Sequence, residues 1–174
     1  MPSKNAETYL FQNKRLLLID PELGLNVDEP FDPLLLPETP QWGQQLGPDS
    51  FVTGNVAGTE FFVERHGRPD GQCRLYHPSR AVKGEMYYVD GKLHGPSVFL
   101  GEEGQVLARS WFIHGHQQGK VFWYYPDGKV YSLQRYKDGV YHGKQEYFRP
   151  DGTHKTVLTY TKGVMGETFL STLS

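Results

Sequence analysis

Five of the seven histidines, with two aspartates beside them, fall in the turns of one predicted sheet edge between residues 66 and 142, and imidazole and carboxylate groups bind zinc and related metals. They are His66, His94, His114, His116 and His142, beside Asp90 and Asp138. All seven lie in glycine-containing turns. Histidines 48 residues apart would be separated by four strands, or roughly 20 Å, which is too far for a shared ion. We therefore expect exposed turn histidines and no metal site, with local chelation by His114 and His116 as the alternative.

No catalytic constellation accompanies these residues. The sequence contains no glycine-rich phosphate loop that opens a helix, no nucleophile elbow and no paired zinc motif. Cys73 is the single cysteine, so an internal disulfide is excluded and no catalytic partner is suggested by spacing. The carboxylates lie in turns, where aspartate serves backbone geometry. The sequence predicts a protein that is not an enzyme and has no cofactor.

The elements that must position these residues follow from the spacing of glycine. One column of glycines repeats every 24 residues, at Gly43, Gly67, Gly91, Gly115, Gly139 and Gly163. A second column follows four residues later, at Gly47, Gly71, Gly95, Gly119 and Gly143. A fixed period between 20 and 50 residues indicates one supersecondary unit stacked on copies of itself. Residues 43–166 are therefore predicted to form five repeats and a closing fragment.

Two further columns share this period and support it: the aromatic column Tyr88, Phe112, Tyr136 and Tyr160, and the column Phe51, Leu75, Phe99, Trp123 and Tyr147, which is aromatic except at Leu75. Each unit is predicted to be a β-hairpin, because strand-favouring residues flank a Pro-Asp-Gly turn at 126–128 and again at 150–152. The same turn position is occupied by Val56, Arg80 and Gly104 in the earlier units. The predicted fold is all-β, an elongated single antiparallel meander of stacked hairpin repeats.

Residues 1–42 belong to no repeat, whereas residues 43–174 form the predicted array with its closing strand. Leu16–Ile19 is a predicted strand that ends at Asp20-Pro21, and prolines keep residues 30–40 extended. The apolar run Leu34–Leu36 predicts that this segment packs on the sheet as a cap or strap. A disordered tail is the alternative for residues 1–42, above all for residues 1–12. Residues 1–66 carry 4 Lys and Arg against 10 Asp and Glu, and residues 67–174 carry 14 against 10, so the acidic third could dock on the basic array.

Three segments resemble a known repeat family: 88–95 (YVDGKLHG), 125–129 (YPDGK) and 136–143 (YKDGVYHG). They resemble MORN repeats (membrane occupation and recognition nexus), most closely the variant of bacterial proteins labelled antitoxin-like. The resemblance covers residues 67–166 well and 43–66 poorly. The standard repeat is usually slightly shorter and has one residue between its tyrosine and glycine, whereas two intervene here. The resemblance implies a non-catalytic binding protein.

If the Pro-Asp-Gly turn pairs Tyr125 with Lys129, alternation assigns side chains to faces. One predicted face carries Val121, Trp123, Tyr125, Tyr131, Leu133 and Arg135; the other is small and apolar with the Tyr88 column. Large aromatics mixed with arginine are typical of binding surfaces. The candidate binding residues are Phe99, Arg109, Trp111, Trp123, Tyr125, Tyr131, Arg135, Tyr147 and Arg149. The alternative is that these aromatics only pack cross-strand.

The predicted function is a protein–protein interaction module or scaffold that uses an elongated sheet face. The alternatives are a peripheral binder of anionic phospholipid and an antitoxin or immunity-like protein with a dedicated partner. Scattered Lys and Arg favour protein over lipid, which usually requires clustered cations. Nucleic acid is not expected as a partner, and the sequence leaves the oligomeric state open. The longest N-terminal apolar run is too short for a signal peptide or a membrane span, so we expect a cytoplasmic protein, with signal-less export as the alternative.

Overall fold

A computed structural model describes residues 16–20 and 25–170, and every regular element in these ranges is a β-strand. The first two strands form a hairpin of their own, β1 (Leu16–Asp20) and β2 (Leu25–Phe31). The remaining strands are β3 (Gln45–Gly47), β4 (Ser50–Gly54), β5 (Glu60–Arg65), β6 (Arg68–Tyr76), β7 (Val82–Val89), β8 (Lys92–Leu93), β9 (Gly95–Leu100), β10 (Val106–Ile113), β11 (His116–Gln117), β12 (Gly119–Tyr124), β13 (Val130–Lys137), β14 (Val140–Tyr141), β15 (Gly143–Phe148), β16 (His154–Thr161) and β17 (Val164–Leu170).

Strands β3 to β17 form one open 15-stranded antiparallel sheet in meander order, as the 24-residue period predicted. Twelve strands follow one another across the sheet, while the two-residue strands β8, β11 and β14 pair only with β7, β10 and β13. At a strand spacing of about 4.8 Å, twelve strands extend roughly 50 Å. The all-β meander is therefore confirmed.

The two glycine-marked turns close each hairpin as the local sequence requires. At one edge, His66, Asp90, His114, Asp138 and Lys162 all have positive φ and each precedes a glycine that also has positive φ. Two successive residues of this kind form the tight turn that matches strand twist. At the other edge, Tyr125 N–H donates to Lys129 O at 2.7 Å, and Gly128 adopts a φ of 90°. The predicted three-residue turn is confirmed.

The register of each later hairpin contains an extra residue, which simple alternation along the strands does not predict. The pairing shifts by one at Lys83, Leu107, Tyr131 and Lys155, which are themselves 24 residues apart. In the third of these, Tyr124 pairs with Val130, but Trp123 pairs with Ser132. A one-residue bulge moves all later side chains of that strand to the opposite face. The predicted faces are therefore wrong for β13 and its equivalents.

The predicted strand at Leu16–Ile19 is confirmed as β1, and Pro30 lies in β2 opposite Leu17, next to a register shift. Residues 31–40 then cross the sheet, and we call them the strap. Leu36 packs with Val52 and Val63 in a buried cluster, with Leu34 partly buried against it. The predicted packing of the Leu34–Leu36 run on the sheet is thus confirmed for Leu34 and Leu36. Residues 1–12, where a disordered tail is the alternative, lie outside the described residues.

Candidate interaction face

The register divides the sheet into two chemically different faces. One continuous cross-strand row runs through residues 75, 84, 99, 108, 123, 132, 147 and 156, and all its members lie on the same face. Alternation adds their neighbours on each strand. We call this the uncharged face, and its members from β6 to β16 are Cys73, Leu75, Gly84, Met86, Tyr88, Ser97, Phe99, Ala108, Ser110, Phe112, Val121, Trp123, Ser132, Gln134, Tyr136, Gln145, Tyr147, Thr156, Leu158 and Tyr160.

None of these twenty residues is Asp, Glu, Lys or Arg. From β6 to β16 the charged members of the paired rows lie on the opposite side, which we call the charged face; one strand further on, Glu60 of β5 pairs with Leu75 and lies on the first face. The central row of the charged face is Arg74, Glu85, Val98, Arg109, Phe122, Leu133, Glu146 and Val157. A second row beside it contains Gln72, Tyr87, Trp111, Lys120, Arg135 and Lys144. The bulges therefore separate Phe99, Trp123 and Tyr147 from the arginines with which simple alternation grouped them, whereas Trp111 stays on the same face as Arg109.

The nine candidate binding residues do not share one face. Phe99, Trp123 and Tyr147 lie on the uncharged face, and Arg109, Trp111 and Arg135 lie on the charged face. The remaining three, Tyr125, Tyr131 and Arg149, lie at the Pro-Asp-Gly edge, where the rings of Tyr125 and Tyr131 are tilted by 53° with centroids 5.5 Å apart. The prediction of one mixed face of aromatics and arginines is therefore wrong, because one bulge in each hairpin moves the later side chains of the second strand to the opposite face.

The candidates on the charged face are engaged within the protein. Trp111 is fully buried and Arg109 is 7% exposed. Arg135 donates to a carboxylate oxygen of Glu146 at 2.7 Å and to Lys144 O at 2.9 Å. At the edge, Arg149 donates to His154 O at 2.7 Å. These arginines bind neighbouring residues, and Trp111 is a core residue.

Large and small side chains alternate along the central row of the uncharged face. Phe99, Trp123 and Tyr147 are separated by Ala108 and Ser132, which are 3% and 1% exposed. Large residues therefore stand two strands apart, at about 9.6 Å, with small side chains sheltered between them. Trp123 remains 39% exposed. The row presents an aromatic ridge whose most exposed member is Trp123.

A tyrosine cluster extends the uncharged face toward the tight-turn edge. The ring of Tyr141 lies 4.9 Å from Tyr136 and 5.0 Å from Tyr160. Gln134 Nε2 donates to the Tyr141 hydroxyl at 3.2 Å. Partial burial and a hydrogen bond with Tyr136 raise the pKa of Tyr141. The sequence columns identified two of these tyrosines but not Tyr141, which lies on the short strand β14 and has no aromatic equivalent one repeat earlier.

The turn histidines do not form the metal row considered from the sequence. No group of three or more His, Cys, Asp or Glu side chains among the described residues is arranged to hold a metal ion. An exposed side chain was expected at His94, as at the other turn histidines, but His94 is buried, with only 3% of its surface exposed. Its Nδ1 accepts a hydrogen bond from the His114 N–H at 3.1 Å. It faces Phe31 across 5.4 Å. The strap covers this turn, which is why its burial was not predicted.

A cavity of about 480 Å³ lies between the strap and the tight-turn edge, lined in part by Asp32, Arg65, Asp70 and Asp90. Burial raises the pKa of Asp70, and the negative charge of Asp90 adds to this, while Arg65 opposes it. Asp70 also accepts a backbone hydrogen bond from Asp90. This hydrogen bond connects the Asp70 carboxylate to the backbone of the tight turn at Asp90.

Comparison with protein-family models and with curated proteins found no match to this chain. The similarity to MORN repeats therefore stays a prediction from the motifs. No helix that could span a membrane is found in the described part of the chain.

Proposed function

We propose that this chain is a non-catalytic protein-interaction module whose partner binds to the uncharged face. The observation that carries the proposal is the absence of Asp, Glu, Lys and Arg from the twenty residues of that face, across strands β6 to β16. The centre of a protein interface is distinguished by depletion of charge and enrichment of aromatic residues, more than by overall hydrophobicity. A solvated face with no binding role has no need to exclude charge over so many strands.

The composition of the uncharged face supports a protein ligand. It combines tyrosine and tryptophan with serine, threonine and glutamine, which is the mixture of rigid aromatic contacts and adaptable hydrogen bonding used by antibody paratopes. The described strap makes its hydrogen bonds to Gln72 and Arg74, on the other face. The strap therefore leaves the uncharged face to a partner.

An anionic membrane is the weaker alternative. Phospholipid recognition needs several cations that are clustered and accessible. The three candidate arginines are instead bound internally or buried, and two of them lie on the charged face. An antitoxin or immunity-like role, which the MORN-variant resemblance suggests, would use the same face with one dedicated partner. A toxin gene beside this one would identify that partner.

A matched pair of substitutions on β12 tests the proposal. Trp123→Ser removes the exposed aromatic from the uncharged face, and Phe122→Ser removes its neighbour from the charged face. A partner captured from native lysate by the unaltered protein, and identified by mass spectrometry, should bind the Trp123 variant at least tenfold more weakly, because exposed aromatic anchors contribute about 2 kcal/mol or more. The Phe122 variant should retain binding.

Melting temperatures of both variants separate lost binding from lost folding. Retained partner affinity in a folded Trp123→Ser variant would reject the uncharged face as the binding surface. Salt-sensitive binding to vesicles of anionic phospholipid, with no protein partner affected by Trp123, would favour the membrane alternative.

A further inference from the structure

The strap lies in a groove on the charged face, at the end of the sheet opposite to β17. Val52 and Val63 form the floor of the groove and are 1% and 0% exposed. Gln72 and Arg74 line it on β6. Gly71 allows the close approach, since a Cβ atom there would lie 2.8 Å from Leu34 O. The groove is thus shaped to hold an extended chain against the sheet.

The polar contacts of the groove are made to the main chain of the strap. Gln72 N–H donates to Leu34 O at 2.9 Å, and Gln72 Oε1 accepts from Leu36 N–H at 2.8 Å. Arg74 Nη1 donates to Pro37 O at 3.0 Å. Backbone-directed bonds of this kind provide affinity for any extended segment, while side-chain pockets provide selectivity.

The selectivity comes from two leucines. Leu36 is 6% exposed and packs on Val52 and Val63, and Leu34 is partly buried in the same cluster, whereas Leu35 is not part of it. Residues 34 and 36 point to the same side because alternate side chains of an extended chain do so. Pro33, Pro37 and Pro40 restrict the backbone, which lowers the entropy lost on binding.

The groove is specific to one repeat. The residues equivalent to Gln72 and Arg74 are Pro96 and Val98 in the next repeat, then Lys120 and Phe122, then Lys144 and Glu146. In the groove, Arg74 pairs with Glu85 at 3.0 Å, and Gln72 Nε2 donates to the same carboxylate at 3.2 Å. The buried carboxylate of Glu85 thus holds the side chains of Arg74 and Gln72 in fixed positions, from which Arg74 Nη1 donates to the strap and Gln72 Oε1 accepts from it.

We propose that this groove is a receptor for an extended Leu-x-Leu-Pro segment of a partner protein, and that residues 31–40 occupy it in cis. The strap itself shows the chemistry that fits: two leucines at alternate positions, a following proline, and free main-chain carbonyls. Because the strap is tethered, its effective concentration at the groove is on the order of millimolar. A partner segment therefore competes only when the binding of the strap is weakened or when the partner segment binds the groove more tightly than the strap does. The site is on the face opposite to the proposed partner surface and does not depend on it.

Fluorescence anisotropy with a fluorescein-labelled peptide of residues 31–40 tests the proposal on the full chain. Leu36→Glu places a charge in the apolar cluster and should release the strap, so that peptide affinity rises at least tenfold over that of the unaltered protein. Leu35→Glu is the matched control and should leave affinity unchanged. Adding Gln72→Ala to the Leu36 variant should reduce peptide affinity about fivefold, because one hydrogen bond to the peptide backbone is lost.

Circular dichroism establishes that each variant retains its sheet, and Leu36→Ala replaces Leu36→Glu if the charged variant unfolds, with a smaller gain of about threefold. A folded Leu36 variant that binds the peptide no better than the unaltered protein would overturn the proposal. Equal binding of a peptide with both Leu34 and Leu36 changed to Ser would do the same. A strap-exchanged dimer, lost in the Leu36 variant, would assign the groove to a second copy of this chain instead. Trp123→Ser should have no effect on peptide binding, so the two proposals can fail separately.

Discussion

Substituting alanine at Gly95 and Gly128 should destabilise the protein by very different amounts, although both glycines have nearly the same positive φ angle. Their φ angles are 97° and 90°. At Gly128 an added Cβ atom would meet nothing within 4 Å. At Gly95 it would lie 2.6 Å from the ring of Phe31, a contact that ordinary side chains do not make. The pair therefore separates backbone strain from the contact between the strap and the sheet.

The magnitudes follow from these contacts. A left-handed conformation costs an L-residue about 1–2 kcal/mol, and alanine recovers about 0.4–1 kcal/mol by restricting the unfolded chain. Gly128→Ala should therefore cost about 1 kcal/mol. Gly95→Ala adds overpacking of roughly 1–3 kcal/mol, because Phe31 is 5% exposed and its ring is held by Tyr87 and His94. We expect a total near 3 kcal/mol.

Urea denaturation followed by circular dichroism measures the difference. With a slope of about 2 kcal/mol/M, the midpoint of the Gly95 variant should fall about 1 M below that of the Gly128 variant. In a Phe31→Ala background the additional cost at Gly95 should disappear, which gives a coupling energy of about 2 kcal/mol. Equal midpoints for the two single variants, or an unchanged difference without the Phe31 ring, would refute the described position of the strap.

Two further predictions concern titratable groups. Burial raises the pKa of the Cys73 thiol to about 12, so thiol reagents at pH 8 should react with it only after denaturation, and rapid reaction of the native protein would contradict its placement. Partial burial raises the pKa of Glu146, but hydrogen bonds from His154 and Arg135 outweigh this and hold it below the usual glutamate value of 4.5. Because the pKa of Glu146 is lowered in the folded state, the ionised carboxylate stabilises the fold above pH 4.5, and this stabilisation is lost as the pH falls through the folded-state pKa. Glu146→Gln should therefore lower the urea midpoint at pH 7 and have a smaller effect at pH 3. An effect that does not depend on pH would contradict the ion pair.

The meander was predictable because its turns are coded locally. Gly91 and Gly139 end two-residue turns of positive φ, and Gly128 and Gly152 close the three-residue turns. Few residues other than glycine adopt these conformations readily, so a turn that recurs at a fixed period produces a glycine that recurs at the same period in the sequence. The strand order then follows, since short turns join antiparallel neighbours.

The assignment of side chains to the two faces was not predictable, because no single residue type marks the bulge positions. The extra residues are Lys83, Leu107, Tyr131 and Lys155, which share neither charge, size nor shape. Their placement depends on how the twisted strands pair across the hairpin and on nothing visible in one strand alone. Trp111 illustrates the consequence: its aromatic character suggested an exposed anchor, but it faces the charged side and is fully buried.

The strap was predictable in outline and not in detail. Three leucines between prolines indicated packing on the sheet, but nothing in the spacing singled out Gln72 and Arg74 as its partners, 36 or more residues away. Their departure from the equivalent residues of the next repeat, Pro96 and Val98, was a signal that comparison within the array could have found. In a repeat protein, a position that departs from the residue found in the other repeats is informative, because the stacking of repeats alone does not require that departure.

The bulges also explain how one repetitive sheet obtains two unlike surfaces. Without the extra residue at Tyr131, alternation would place Arg135 beside Trp123, so each hairpin would present mixed charge and aromatic side chains to both sides. With it, Trp123 lies opposite Ser132, and Arg135 lies opposite Lys120 on the other face. The same displacement at each repeat gathers cations and carboxylates where the strap and ion pairs such as Arg135–Glu146 use them. It leaves twenty uncharged side chains in register on the face that we assign to the partner.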